Sequence, residues 1–163
     1  MLNSDGSIGG YMKCYKCKAN KLAHVEVTER VEVAGHKFTG KVAALKCGAC
    51  GELLLDGPAL ERFELLAAAK LAEAGEVNGE AFKFMRKAAG LRGADLAALL
   101  DVAGETVSRW ETGALPMERR AVALLGAIVT EAVAGSAATL GRLRALQAPA
   151  RLPKVVRVNT KAA

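Results

Sequence analysis

Aromatic side chains are scarce in this chain, with one Trp, two Tyr and four Phe making up 4% of 163 residues. Scattered as they are, they do not suggest a large aromatic-lined substrate pocket. Histidine is scarcer still, at His24 and His36 only. There is also no glycine-rich phosphate loop, no cysteine outside two short motifs and no pair of carboxylates in an evident pocket, so little is left to perform chemistry. The chain is therefore expected not to be an enzyme. A long apolar run is missing too: the longest, around Ala121 to Val129, is too short and too closely flanked by charge to span a bilayer. Asp5, several glycines and Lys13 interrupt the first apolar residues, so no secretory leader is expected and the expected location is cytoplasmic. That compartment is reducing, which makes disulfides a poor explanation for the cysteines.

What is present begins with those cysteines. Cys14-Tyr15-Lys16-Cys17 and Cys47-Gly48-Ala49-Cys50 form two Cys-x-x-Cys pairs separated by 29 residues. Each knuckle turns two sulfurs to one side, so together they can supply the four thiolates of a tetrahedral zinc site. Four sulfurs close the coordination shell and leave no position for water or substrate, which points to a structural ion rather than a hydrolytic one. Lys13, Lys16, Lys18 and Lys46 suit the negative charge of such a centre. Buried free thiols and a redox dithiol are the competing explanations; zinc is preferred because two matched pairs leave nothing over. His24 and His36 are read as ordinary surface or hairpin residues.

Between the knuckles the sequence alternates from His24 to Val33 and again from Lys37 to Leu45, with Ala34-Gly35 as a plausible turn. Period two predicts an antiparallel hairpin. Residues 1–57 are thus expected to be a small zinc-bound β domain that draws much of its folding free energy from the metal. Pro58 then opens a helix predicted over about 59–74, with Leu60, Phe63, Leu66, Ala67 and Leu71 as its apolar stripe. The 74–79 stretch reads as a hinge, making 58–79 a connector.

From residue 80 several short apolar segments with brief connectors predict a compact helical bundle. Ala97 and Leu100, the turn Asp101-Val102-Ala103, then Val107 and Trp110 match the packing of a helix-turn-helix. Glu105, Ser108, Arg109 and Thr112 fall together on the opposite side of the third helix, free to enter a major groove. Trp110 is expected in the core, and Glu111 as a capping or salt-bridging residue.

The run Phe84 to Leu100, continued by Thr106-Val107-Ser108-Arg109-Trp110-Glu111-Thr112-Gly113, resembles the Xre-type helix-turn-helix. Preceded by the paired Cys-x-x-Cys knuckles, residues 13 to 130 resemble the MqsA family of antitoxins, with its YgiT-type zinc finger. The resemblance implies a structural Zn2+ bound by Cys14, Cys17, Cys47 and Cys50, a homodimer formed through the helical domain, repression of its own operon, and a RelE-like ribonuclease toxin held by the zinc domain. By position it also implies that Arg109 reads base edges, for which a guanidinium suits guanine O6 and N7. Glu105 departs from the family's usual polar reader and puts the operator sequence in doubt. Ala103 and Arg92 stand where Ser or Thr usually caps a helix, so both helix starts lose a side-chain acceptor. Thr106, Ser108, Arg92, Arg86 and Lys87 are candidates for phosphate contact.

Residues 121–147 continue helically with an interruption at Gly135-Ser136, and carry more apolar surface than a bundle of this size readily covers. Pairing with a second copy is the expectation, setting two recognition helices about one turn of DNA apart. Residues 80–148 are therefore read as one DNA-binding and dimerisation domain, followed by a basic tail over 149–163 with Val155 to Val158 as a candidate edge strand. The basic excess is concentrated late: residues 127–163 hold six Lys and Arg against the single carboxylate of Glu131. The expected fold class is α+β, a small zinc-bound antiparallel β domain followed by an all-α helix-turn-helix domain. The expected function is an autoregulating, sequence-specific repressor and antitoxin. A stand-alone zinc-containing regulator with no toxin, and a zinc-ribbon RNA-binding protein, are the alternatives; the few aromatics disfavour the last.

Overall fold

A computed structural model describes residues 12–158. The outer parts of the expected first domain and basic tail, residues 1–11 and 159–163, lie outside the described residues. The fold is α+β, a three-stranded antiparallel sheet followed by six helices. Strands β1 (Leu22–Val33) and β2 (His36–Cys47) pair along their whole length, from Leu22 opposite Cys47 to Val33 opposite His36. The turn at Ala34 and Gly35 has φ of 51° and 79°, the left-handed pair that suits a two-residue hairpin. A short third strand, β3 (Leu53–Leu55), adds to β2 through Ala44, Leu45 and Lys46. Three consecutive leucines carry no period-two pattern, so this strand has no signature in the residue order.

Helix α1 (Gly57–Glu73) starts where Asp56 accepts from the Ala59 amide, with Pro58 in the first turn. It runs back along β2 from the knuckle end toward the hairpin turn. Phe63 lies over Gly40, where a Cβ would sit 2.6 Å from the ring, so a strand glycine leaves the room an aromatic fills. Farther along, Ala67, Ala68, Ala69 and Leu71 are buried while Leu66 is exposed, so small residues make the crossing with the helical body. Gly126 lies close against this helix, where an added Cβ would meet Ala72 at 3.3 Å. α1 thus packs as a core helix against α5 (Arg119–Val133) and α2 (Gly79–Ala88).

The principal core joins Ala68 and Leu71 of α1, Phe82 and Met85 of α2, Leu96 of α3 (Gly93–Leu99), Val107 and Trp110 of α4 (Gly104–Thr112), and Leu125 and Val129 of α5. Val33 is buried in the same cluster, with Val31, Ala34 and Phe38 packed against it, so the turn end of the hairpin is rooted in the helical body. A separate small core, Cys14, Leu22, Leu45 and Cys47, lies at the other end of the hairpin.

Helix α6 (Ala138–Gln147) follows α5, with Glu131 accepting from both the amide and hydroxyl of Thr139 at 2.7 Å to fix its start. The apolar side of α5 is covered inside the chain by α1 and α2, so the surplus expected over 121–147 narrows to α6, where Leu140 and Leu143 are half-buried and Leu146 is 77% exposed. The strand expected at Val155 to Val158 is a correction: residues 151–158 form neither strand nor helix and are exposed, because no sheet edge of the described residues comes beside them to accept their backbone hydrogen bonds. Among the described residues no helix is long and apolar enough to cross a membrane.

Candidate metal centre and nucleic-acid interface

The two knuckles are built alike. In the first, the Lys18 amide donates to the Cys14 carbonyl at 2.9 Å and the Cys14 amide to the Ala19 carbonyl at 3.0 Å. In the second, the Gly51 amide donates to the Cys47 carbonyl and the Cys47 amide to the Glu52 carbonyl, each at 2.8 Å. The residue four after each first cysteine is left-handed in both, Gly51 at φ 75° and Lys18 at φ 62°. Glycine adopts that conformation freely and lysine does not. Glu52 of the second knuckle reaches the first, accepting from Lys16 at 2.7 Å and from the Tyr15 hydroxyl. The Lys16 ammonium and the Tyr15 hydroxyl hold the Glu52 carboxyl below its ordinary range.

This arrangement brings all four sulfurs within 4.8 Å of one another. The cross-knuckle pairs Cys14 to Cys50 and Cys17 to Cys47 are each 3.6 Å apart. A tetrahedron of thiolates at about 2.3 Å from a central zinc has edges of about 3.8 Å, so the cluster has the size such an ion requires. The backbone amides of Cys50 and Ala49 hold the Cys47 thiol down to about 6. The Cys17 and Lys16 amides lower Cys14 similarly. The Glu52 amide favours the Cys50 thiolate as well, but partial loss of water at the cluster and three neighbouring sulfurs outweigh it and push Cys50 up to about 12. Four sulfurs so close resist ionising together unless a cation lies among them. Cys14 and Cys47 are buried and Cys17 and Cys50 exposed. His24 and His36 lie outside the cluster; His36 faces Glu76 at 3.9 Å.

In the helical body, α3 and α4 form a helix-turn-helix around Leu100 to Ala103. Asp101 has φ 54°, and the Val102 amide returns to the Ala97 carbonyl at 3.0 Å. Val107 and Trp110 turn inward, with Trp110 edge-on to Phe82 at 6.0 Å between ring centroids. Glu105, Ser108, Arg109 and Thr112 are exposed together on the other side, and Thr106 is half-buried. Arg109 and Glu105 are 3.9 Å apart, one turn from each other. Thr112 spends its hydroxyl on the Ser108 and Arg109 carbonyls at 3.0 and 3.3 Å. The left-handed Gly113 at φ 75° ends the helix.

Neither α3 nor α4 has a side-chain acceptor at its first residue, as Arg92 and Ala103 predict. For α3 the loss is half repaired from inside: Asp95 accepts from the Arg92 amide at 3.2 Å and from its guanidinium twice at 2.8 Å. Arg92 is therefore exposed but already ion-paired, and it holds Asp95 down to about 2. Lys87 is exposed at the end of α2.

Arg86 is a correction. Expected to touch phosphate, it is buried and donates to both Glu111 oxygens, at 2.5 and 3.1 Å, and to the Leu91 carbonyl at 2.8 Å. The Leu91 amide returns a bond to the Arg86 carbonyl at 3.1 Å. A guanidinium so fully engaged ties α2 to the end of α4 and cannot also reach solvent anions. From sequence it looks like its exposed neighbour Lys87; the only hint was the salt-bridging role expected of Glu111. The Glu52 clamp had no sequence signal at all. Among known proteins, no family model matches the chain and no curated protein matches it.

Proposed function

We propose that this protein is a sequence-specific DNA-binding repressor whose sheet is stapled by a structural Zn2+, and that it acts as the antitoxin of a toxin-antitoxin pair, in the manner of the MqsA family it resembles. The observation that carries the DNA reading is the exposed α4 side, Glu105, Ser108, Arg109 and Thr112, held on a helix whose inner side is locked by Val107, Trp110 and the Arg86–Glu111 pair. A helix so presented fits a major groove, with Arg109 donating to guanine and Lys87, Thr106 and Arg92 near phosphate. Zinc suits four clustered thiolates, two cross-knuckle pairs of which are 3.6 Å apart.

A second copy completes the reader, because a two-fold pair sets two α4 helices one turn of duplex apart. The exposed Leu146 and its half-buried neighbours Leu140 and Leu143 offer the surface for it. The RelE-like toxin is carried by the resemblance. The outer edge of β1, unpaired among the described residues over twelve positions, supports it as a place where a partner strand could add.

The test is binding of the purified full chain to a labelled duplex spanning the region upstream of its own gene, against a scrambled duplex of equal length. Wild type should prefer the first, and Arg109→Ala should lose that preference while keeping its melting temperature. Equal binding of both proteins to the upstream duplex would remove Arg109 as the reader. Co-purification from the native host then asks for a small ribonuclease; a regulator that elutes alone with its DNA is the toxin-free reading.

A further inference from the structure

After Glu131 the described chain carries no carboxylate, while Arg142, Arg144, Arg151, Lys154 and Arg157 follow. Their placement gives that charge a direction. The last turns of α6 lie against α3: Leu143, Leu146 and Gln147 face Ala98 to Asp101 across a shallow groove, and Arg144 reaches close enough to Asp95 to help stabilise its carboxylate. The stretch 148–158 therefore leaves the body beside the first helix of the helix-turn-helix, with every residue exposed and in neither strand nor helix.

Resting on the DNA-binding reading above, we propose that residues 148–158 are a cationic arm that lies along the phosphate backbone flanking the α4 site, with Arg151, Lys154 and Arg157 as its contacts. Eleven extended residues reach on the order of 35 Å, enough to follow the duplex beyond the footprint of α4. Pro149 and Pro153 bias the chain toward an extended form with three residues per turn, in which positions three apart fall on one side about 9 Å from each other. The three cations have that spacing. Such contacts are indifferent to base sequence, so the arm raises affinity for any duplex and leaves discrimination to α4.

The experiment compares full-length wild type with the triple variant Arg151→Gln, Lys154→Gln, Arg157→Gln. Fluorescence anisotropy is measured on the upstream duplex and a scrambled duplex between 50 and 200 mM salt. Loss of three phosphate contacts should lower the slope of log affinity against log salt by about 2.7. Over that range the wild type should lose about forty-fold more affinity than the variant. The preference for the upstream duplex and the melting temperature should stay unchanged. An unchanged salt slope with intact discrimination would overturn the arm and spare the repressor; so would a variant that loses only its binding to anionic phosphatidylglycerol vesicles. If wild type binds neither duplex, the repressor reading falls and the arm with it.

Discussion

At Arg109 an exposed guanidinium lies one turn from the carboxylate of Glu105, 3.9 Å away. An exposed pair at that distance contributes little to stability, so neither residue is needed for the fold, and Glu105→Gln should leave the melting temperature unchanged. On the DNA-binding proposal it should also strengthen non-specific duplex binding, by removing a charge that phosphate repels; an unaltered or weaker affinity would place Glu105 away from the backbone. The contrasting residue is Arg86. Glu111→Gln takes the countercharge from a buried guanidinium and should cost about 3 kcal/mol in denaturant unfolding, whereas the paired change Arg86→Met, Glu111→Leu should cost much less. A single-variant loss below about 1 kcal/mol would show that the pair is solvated. Lys18 gives a third test. Its left-handed backbone is strained where Gly51 is not, so Lys18→Gly should stabilise the metal-loaded protein by up to about 1 kcal/mol, after the extra chain entropy of glycine is subtracted. These residues also mark how far the sequence could be read. The cysteines announce themselves by spacing and the outer side of α4 by period, but Arg86 and Lys18 differ from any surface cation only through groups far along the chain or through a dihedral angle.

Among the elements, α2 and α4 meet most tightly at Gly79, where a Cβ would fall 2.5 Å from the Trp110 carbonyl oxygen and 2.8 Å from that of Glu111. Backbone cannot yield as a side-chain tip can. Gly79→Ala should therefore destabilise by roughly 2 kcal/mol despite alanine's better helix propensity. Gly93, at the start of α3 with nothing within 4 Å of its added Cβ, should tolerate alanine or gain slightly. Equal effects at the two sites would mean that α2 and α4 are not in contact as described. The hairpin and the α3–α4 pair were legible because their apolar periods are unbroken. β3 was not, because three successive leucines suit any buried or half-buried segment. α1 was legible as a helix with an apolar stripe, but the burial of Ala68 and Ala69 beside that stripe was not, because alanine suits either side of a helix.

For the whole molecule, two cores at opposite ends of the hairpin make stability uneven. The sulfur end rests on Cys14, Leu22, Leu45 and Cys47; the turn end is part of the larger core through Val33. Cys47→Ser, or chelation of the metal, should raise amide exchange over 14–22 and 47–55 while Val33 and Leu125 stay protected. Exchange rising in step at all of them would show one cooperative unit.

The hairpin pairs over twelve positions and meets the helical body from Val31 and Phe38 onward, which holds the sulfur cluster about 30 Å from that body. Electrostatic influence fades over about 8 Å in physiological salt, so a charge placed at the sulfur end is not felt at the exposed side of α4. Any coupling between the two ends has the paired strands and α1 as its path, a boom whose tilt would carry to the body that holds α4. Shortening the boom by a matched pair of residues would alter that mechanical reach without touching either end.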